Sequence, residues 1–239
     1  MVNRFAPIDQ IHQALHAYHV VADERGQIVS AVHYCSCSLS GDRFQCLIYD
    51  SDRADAKLIG IEYMIPEETF LLLPEAEQQL WHSHVYEVMS GSLVLIGLRA
   101  GAVAETAASA AKGAEDAIRA VAGEGATGGP VPDAAELAAL RKIKKLYGKA
   151  IHTWHPPASA VPLGAPRLMM PTDPKYGAVP PDLIRERDER YAVNTQRKKQ
   201  QRHDKLAEPY VPSSAADQYI HTGKTLQFTA EHRNVRHPA

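Results

Sequence analysis

The chain has 239 residues and a formal net charge of −2, with 26 Lys and Arg set against 28 Asp and Glu. That length suits one large domain, or one domain with appendages, and the near balance of charge supports neither a nucleic-acid partner nor an acidic solvating tail. No apolar run approaches the ~20 residues needed to span a bilayer, and the opening MVNRFAPIDQ lacks the basic-then-apolar order of a secretory leader. Cytoplasmic residence is therefore expected, with Cys35, Cys37 and Cys46 as reduced thiols.

In chain order, residues 8–19 read as a short helix, with Asp9 as N-cap and Ile8, Ile11 and Leu15 on one side. Gln27 to Cys37 alternates as a strand: Val29, Ala31, His33, Cys35 and Cys37 on one face, Ile28, Ser30, Val32 and Tyr34 on the other. Ser40-Gly41-Asp42 is turn chemistry, and Phe44 to Tyr49 completes an antiparallel hairpin. Leu58 to Ile65 is a third strand. Glu67–Leu73 and Pro74–Leu80 are short helical turns, and Tyr86 to Leu98 is strand material broken at Ser90-Gly91. From Ala100 to Pro132 the composition shifts to Ala and Gly, which suggests a surface insertion. Its GEGATGG lacks both the following Lys-Ser/Thr and the preceding strand of a phosphate loop. Ala134–Tyr147 is an amphipathic helix with Leu137, Leu140, Ile143 and Leu146 on one face, capped by Asp133 and ended by Gly148. Lys149–His155 is a strand, PLGAPRLMM leads into a last short one, and Asp182–Glu208 is a charged helical stretch.

Strands first and helices later, without βαβ alternation, indicate an α+β protein with an antiparallel sheet core, open or closed into a barrel. Residues 1–178 form its single domain, and 179–239 a charged helix and C-terminal arm.

The chemistry concentrates in LWHSHVYEVMSG, residues 80–91. If that segment is extended, His82 and His84 face one way, and a strand carrying His152 supplies a third imidazole. Imidazoles with a carboxylate suit a divalent transition metal such as zinc, iron or manganese. His82, His84, His152 and His33 are the candidate ligands, Glu87 a ligand or base, and Glu62 an outer partner or general base. The order His-x-His then Glu resembles the cupin arrangement, but only two residues separate His84 from Glu87, so a bulge is required on a strand. The bland alternative is a hydrogen-bonded core motif without metal. His33, Cys35, Cys37 and Cys46 offer a separate thiolate–imidazole zinc site, or small buried hydrophobes. The basic residues Arg197, Lys198, Lys199, Arg202 and Lys205 read as a solvated helix face, with anionic lipid as the alternative.

Several pieces, spread in order over roughly residues 15–170, resemble the oil-body-associated-protein-like family. They are HYC at 33–35, QCLIYDS at 45–51, LIGIEY at 58–63, LP at 73–74, LWHSHVYEV at 80–88, YGK at 147–149, HTW at 152–154 and PLGAPRLMM at 162–170, with weaker similarity in RERDERYAVNTQRK. Two departures stand out: the expanded 100–132 stretch, and Cys37 where the family pattern suggests histidine. The resemblance implies a shared fold and site, association with seed oil bodies in plants, and no settled reaction. Two readings follow. In one, a His-rich metal pocket acts on a small or lipid-like molecule; in the other, a non-catalytic protein lies peripherally on lipid droplets. Oligomeric state stays open, a homodimer included.

Overall fold

The computed structural model describes residues 5–37, 42–99, 129–175 and 178–235. Ser40 and Gly41 of the expected turn, and residues 100–128 of the expected insertion, lie outside them. In order the elements are α1 (Ala6–Asp9), β1 (Gln13–Val21), β2 (Glu24–Cys37), β3 (Phe44–Tyr49), β4 (Leu58–Pro66), α2 (Glu67–Phe70), α3 (Glu75–Gln78), β5 (His82–Ser83), α4 (Val85–Ser90) and β6 (Val94–Leu98). They continue with α5 (Asp133–Ile143), β7 (Leu146–His152), β8 (Arg167–Pro171), α6 (Pro181–Tyr191), α7 (Thr195–Lys205) and α8 (Tyr219–Thr222).

Six antiparallel strands close on themselves in the order β1-β2-β3-β4-β7-β8 and back to β1. The fold is α+β around a small barrel. At one end β8 joins β1, pairing at His19–Val21, to β7, pairing at Ala150–His152. Towards the other end those two strands part, and β6 pairs with β1 while β5 pairs with β7. Helix α4, between β5 and β6, fills the opening. The chain 82–98 is thus a panel set into the barrel wall, not one continuous strand.

Three expectations about the elements need correction. The helix over 8–19 is real only at Ala6–Asp9; β1 follows. The Ile11/Leu15 spacing misleads because β1 is buried on both faces, by the barrel interior and by α6, so no polar alternation marks it. Tyr86–Ser90 is helical, entered from His84 and closed by Gly91 in the left-handed region at φ 83°. Gly148 does not end a helix either. It lies within β7, and α5 stops at Ile143.

The register puts Ala17, His19 and Val21 on the inward face with Ala31, His33, Cys35, Glu62, Gly148, Ala150 and His152. Along the strands this interior is layered. Leu15, Ala17, Cys35, Met64 and Leu146 join Leu140 and Ile143 of α5 in one apolar cluster, and Val21, Ala31, Ile48, Ile59, Ala150 and Met169 make another. Each Val, Leu, Ile or Met side chain among them contributes about 1.5–3 kcal/mol when fully buried. Between the two lie the polar side chains of His19, His33 and Glu62.

Cys35 and Cys46 face each other directly across β2 and β3 and are joined by a disulfide. This corrects the expectation of reduced thiols and removes the thiolate zinc site. Denaturing alkylation without reductant should label Cys37 alone, and reduction should expose all three thiols. Opening a loop of 11 residues in sequence separation should cost about 2–3 kcal/mol in a denaturant titration.

The basic stretch is not wholly a solvated face. Arg197, Lys199 and Lys205 are exposed, but Lys198 and Arg202 are buried. Lys198 Nζ donates to Glu136 Oε2 at 2.6 Å, and Arg202 Nη2 lies 3.3 Å from Glu136 Oε1. Arg202 Nη1 also donates to the carbonyls of Val88 and Leu93, and Arg187 to those of Gly91 and Ser92. Two arginines from α6 and α7 thereby satisfy carbonyls in the last turn of α4 and just beyond it.

Candidate metal centre

Glu62, on β4, is the hub of the interior. Its Oε2 lies 3.1 Å from His33 Nε2 of β2. Its Oε1 lies 3.1 Å from His82 Nε2 of β5 and 3.5 Å from His84 Nε2 at the start of α4. His33 Nε2 is also 3.2 Å from His19 Nε2, and His19 Nδ1 is 2.9 Å from His152 Nε2. None of these six side chains, nor Glu87, is more than 5% exposed.

Of the sequence candidates, Glu62, His33, His82 and His84 come together around one carboxylate. His152 is one imidazole removed, reached through His19. Glu87 lies one helical turn from His84 without a bulge, because α4 replaces the expected strand and positions three apart share a helix face. Its Oε1 has no hydrogen-bond partner among the described residues. The sequence does not reveal His19, because β1 is buried on both faces and its spacing reads as helix; only the pairing of β1 with β2 places it on the inward face. Nor does it reveal Asp217, from the C-terminal arm. It lies half-buried beside β5, accepting from Ser83 N at 3.0 Å, and its carboxyl is pushed up by desolvation, with His82 opposing.

The protons in this cluster are tightly constrained. His84 Nδ1 donates to the Leu146 carbonyl at 3.0 Å, which leaves Nε2 facing Glu62. In the neutral imidazole that nitrogen carries a lone pair, so lone pair would face carboxylate. A cation must lie between them or a proton on the ring. Burial lowers the affinity of His84 for a proton, but Glu62 overcomes it and lifts the pKa to about 9 in the metal-free protein. Burial alone would raise Glu62, yet His33, His82 and His84 hold it well below the usual carboxylate range. Glu62 Oε1 and both ring nitrogens of His82 find no hydrogen-bond geometry among the described residues, despite their proximity. An Nδ1–H directed at a carbonyl is the usual support of a metal-ligating histidine.

Gly148 makes room for this. A Cβ there would lie 2.3 Å from Glu62 Oε1, 2.7 Å from His82 Nε2 and 2.8 Å from His84 Cε1. Beside the carboxylate is a cavity of about 10 Å³ bounded by His19, His33, Glu62, His84 and Glu87. That is close to the space of one water molecule. At the β8 end a larger pocket of about 750 Å³ reaches His152, with Trp154, Val29, Met169 and Phe228 as apolar walls and His155, Arg167 and Glu24 among its polar groups.

Burial pushes Glu87 up to about 8, with His84 opposing. In the metal-free protein the folded chain therefore holds a proton on Glu87 that the unfolded chain releases near 4.5, so stability falls as pH rises from about 4.5 to 8. His84 acts in the same direction, its contribution present below 6.5 and lost as pH passes about 9. Chelated Glu87→Gln protein should lose the first slope, up to about 1.4 kcal/mol per pH unit. Urea titrations at stepped pH would show parallel curves for the two proteins if Glu87 were already ionised.

The family described as "Protein of unknown function (DUF1264)" matches residues 5–206. The chain is 36% identical over 202 residues to Oil body-associated protein 1A of Zea mays, covering 84% of this chain and 70% of that one. It is 34% identical over 196 residues to Oil body-associated protein 1B of Arabidopsis thaliana, covering 82% and 67%. Oil body-associated protein 2A of Zea mays is 32% identical over 234 residues, or 97% and 79% of the two chains. No solved structure matches it.

Proposed function

The chain belongs to the oil body-associated protein family, and on that premise we propose that its barrel holds a divalent transition metal. The ligands are Glu62, His82 and His84, with His33 on the far side of the carboxylate and Glu87 as the neighbouring acid or base. The carrying observation is the spacing about Glu62: three imidazole nitrogens at 3.1–3.5 Å, with Oε1 outside any hydrogen bond among the described residues. Ligands about 2.1 Å from a common ion stand roughly 3.0–3.4 Å apart at tetrahedral or octahedral angles. Zinc, iron(II) or manganese(II) fits this imidazole–carboxylate set. A bound ion would supply Lewis acidity, and the pocket at His152 is sized for a small or lipid-like molecule whose apolar part lies on Trp154 and Phe228. The names of the relatives support a place peripheral to oil bodies or lipid droplets. Among the described residues no helix is long and apolar enough to cross a membrane.

Metal analysis of purified protein should find at least one equivalent, and chelation should lower the melting temperature by several degrees. Trace metal together with an unchanged melting temperature after chelation sinks this reading. Burial of the whole cluster favours a second one, a non-catalytic lipid-surface protein with a structural core motif. Flotation with lipid droplets that survives His82→Ala and His84→Ala would support it.

A further inference from the structure

Glu62 offers its two oxygens to two different imidazole pairs. Glu62, His82 and His84 form one set of donors mutually within 4.8 Å, and His19, His33 and Glu62 form another. The sets share the carboxylate and no imidazole. The five residues together do not lie within 4.8 Å of one another as one group, and one ion with bonds of about 2.1 Å cannot hold ligands more than ~4.2 Å apart, so it cannot serve all four imidazoles. We infer that the centre is dinuclear, with Glu62 bridging two divalent transition ions. This rests on the metal reading above and goes beyond it.

Three observations support the bridge. The spacings in the second set, 3.1 Å from Glu62 Oε2 to His33 Nε2 and 3.2 Å from His33 Nε2 to His19 Nε2, match those of the first. His19 has its other nitrogen engaged, Nδ1 against His152 Nε2 at 2.9 Å, which fixes the ring with Nε2 towards the site. The cavity of about 10 Å³ touches both sets, with His19 and His33 on one side, His84 on the other and Glu62 between. It leaves room for one water-sized ligand shared by a pair of ions. Glu87 lines that cavity with Oε1 unpartnered among the described residues, and is placed to supply a second carboxylate against the added charge. The second ion also lies on the side of the open pocket, because His152 joins His19 to the pocket wall.

The test is to strip the protein with chelator and titrate it with Mn²⁺, counting equivalents by elemental analysis. The wild type should take two. His19→Gln and His82→Gln should each retain one, and Glu62→Gln should weaken both. A wild type that takes one ion, lost in His82→Gln and unchanged in His19→Gln, overturns the bridge but leaves the single-metal reading intact. No bound ion overturns both. Should a variant fail to fold, electron paramagnetic resonance of the Mn²⁺-loaded wild type decides. An exchange-coupled multiline signal is expected, and the six-line signal of isolated ions at saturation rules the pair out.

Discussion

Gly148→Ala is expected to abolish metal retention and to destabilise the protein by about 1–3 kcal/mol, the usual range for overpacking a well-filled interior. The added methyl has nowhere to go. It would stand 2.3 Å from Glu62 Oε1 with His82 and His84 also inside contact distance, in a layer closed by strands on every side. Moving the carboxylate aside separates it from His33 as well, so the effect on affinity should reach or exceed the 10–100-fold typical of a disturbed supporting shell. Gly97→Ala is the control, since its Cβ would meet only Ala14 Cβ at an ordinary 3.5 Å. Elemental analysis and denaturant titration of both proteins provide the measurement. Wild-type metal content in Gly148→Ala would mean that the three donors do not converge beneath that glycine.

Glu136→Ala should cost about 3–5 kcal/mol, the loss seen when one member of a buried charge cluster is removed. Glu136 is fully buried on α5, accepting from Lys198 Nζ at 2.6 Å and from Leu95 N at 3.0 Å while facing Arg202. Its removal leaves two buried cations short of charge and a backbone N–H of β6 unpaired. Replacing Glu136 and Lys198 together by methionine should cost less than Glu136→Ala, because Lys198 is then no longer a stranded cation while Arg202 keeps its carbonyl partners. Equal losses in the single and double variants would assign the effect to shape instead of charge.

Much of the barrel was legible where a strand has one polar face. The alternation through Val29, Ala31, His33 and Cys35 sets the inward face of β2 correctly, and the β2–β3 hairpin follows from it. Legibility failed where burial is two-sided or where backbone geometry departs from period. β1 is buried throughout, so His19 carried no visible pattern. WHSHVYE changes from strand to helix within three residues, which delivers Glu87 by helical spacing. Gly148 looked like a helix terminus, since nothing local shows that Glu62, distant in sequence, occupies the space of its missing side chain. The pairing of Cys35 with Cys46 is a cross-strand relation that three cysteines alone leave open. Likewise the buried partners of Lys198 and Arg202 lie on other elements, and a charge run reads as solvated until those elements are placed.

The panel between β5 and β6 has a consequence for how this polypeptide divides its labour. Every proposed ligand atom, from His19 to His84, is encoded before residue 100, yet Gly148, the carbonyl that orients His84, and the guanidinium pair gripping the panel's far edge all come after residue 128. The first portion writes the chemistry and the second holds the page flat. Neither portion supplies both the proposed ligands and the groups that hold them in place.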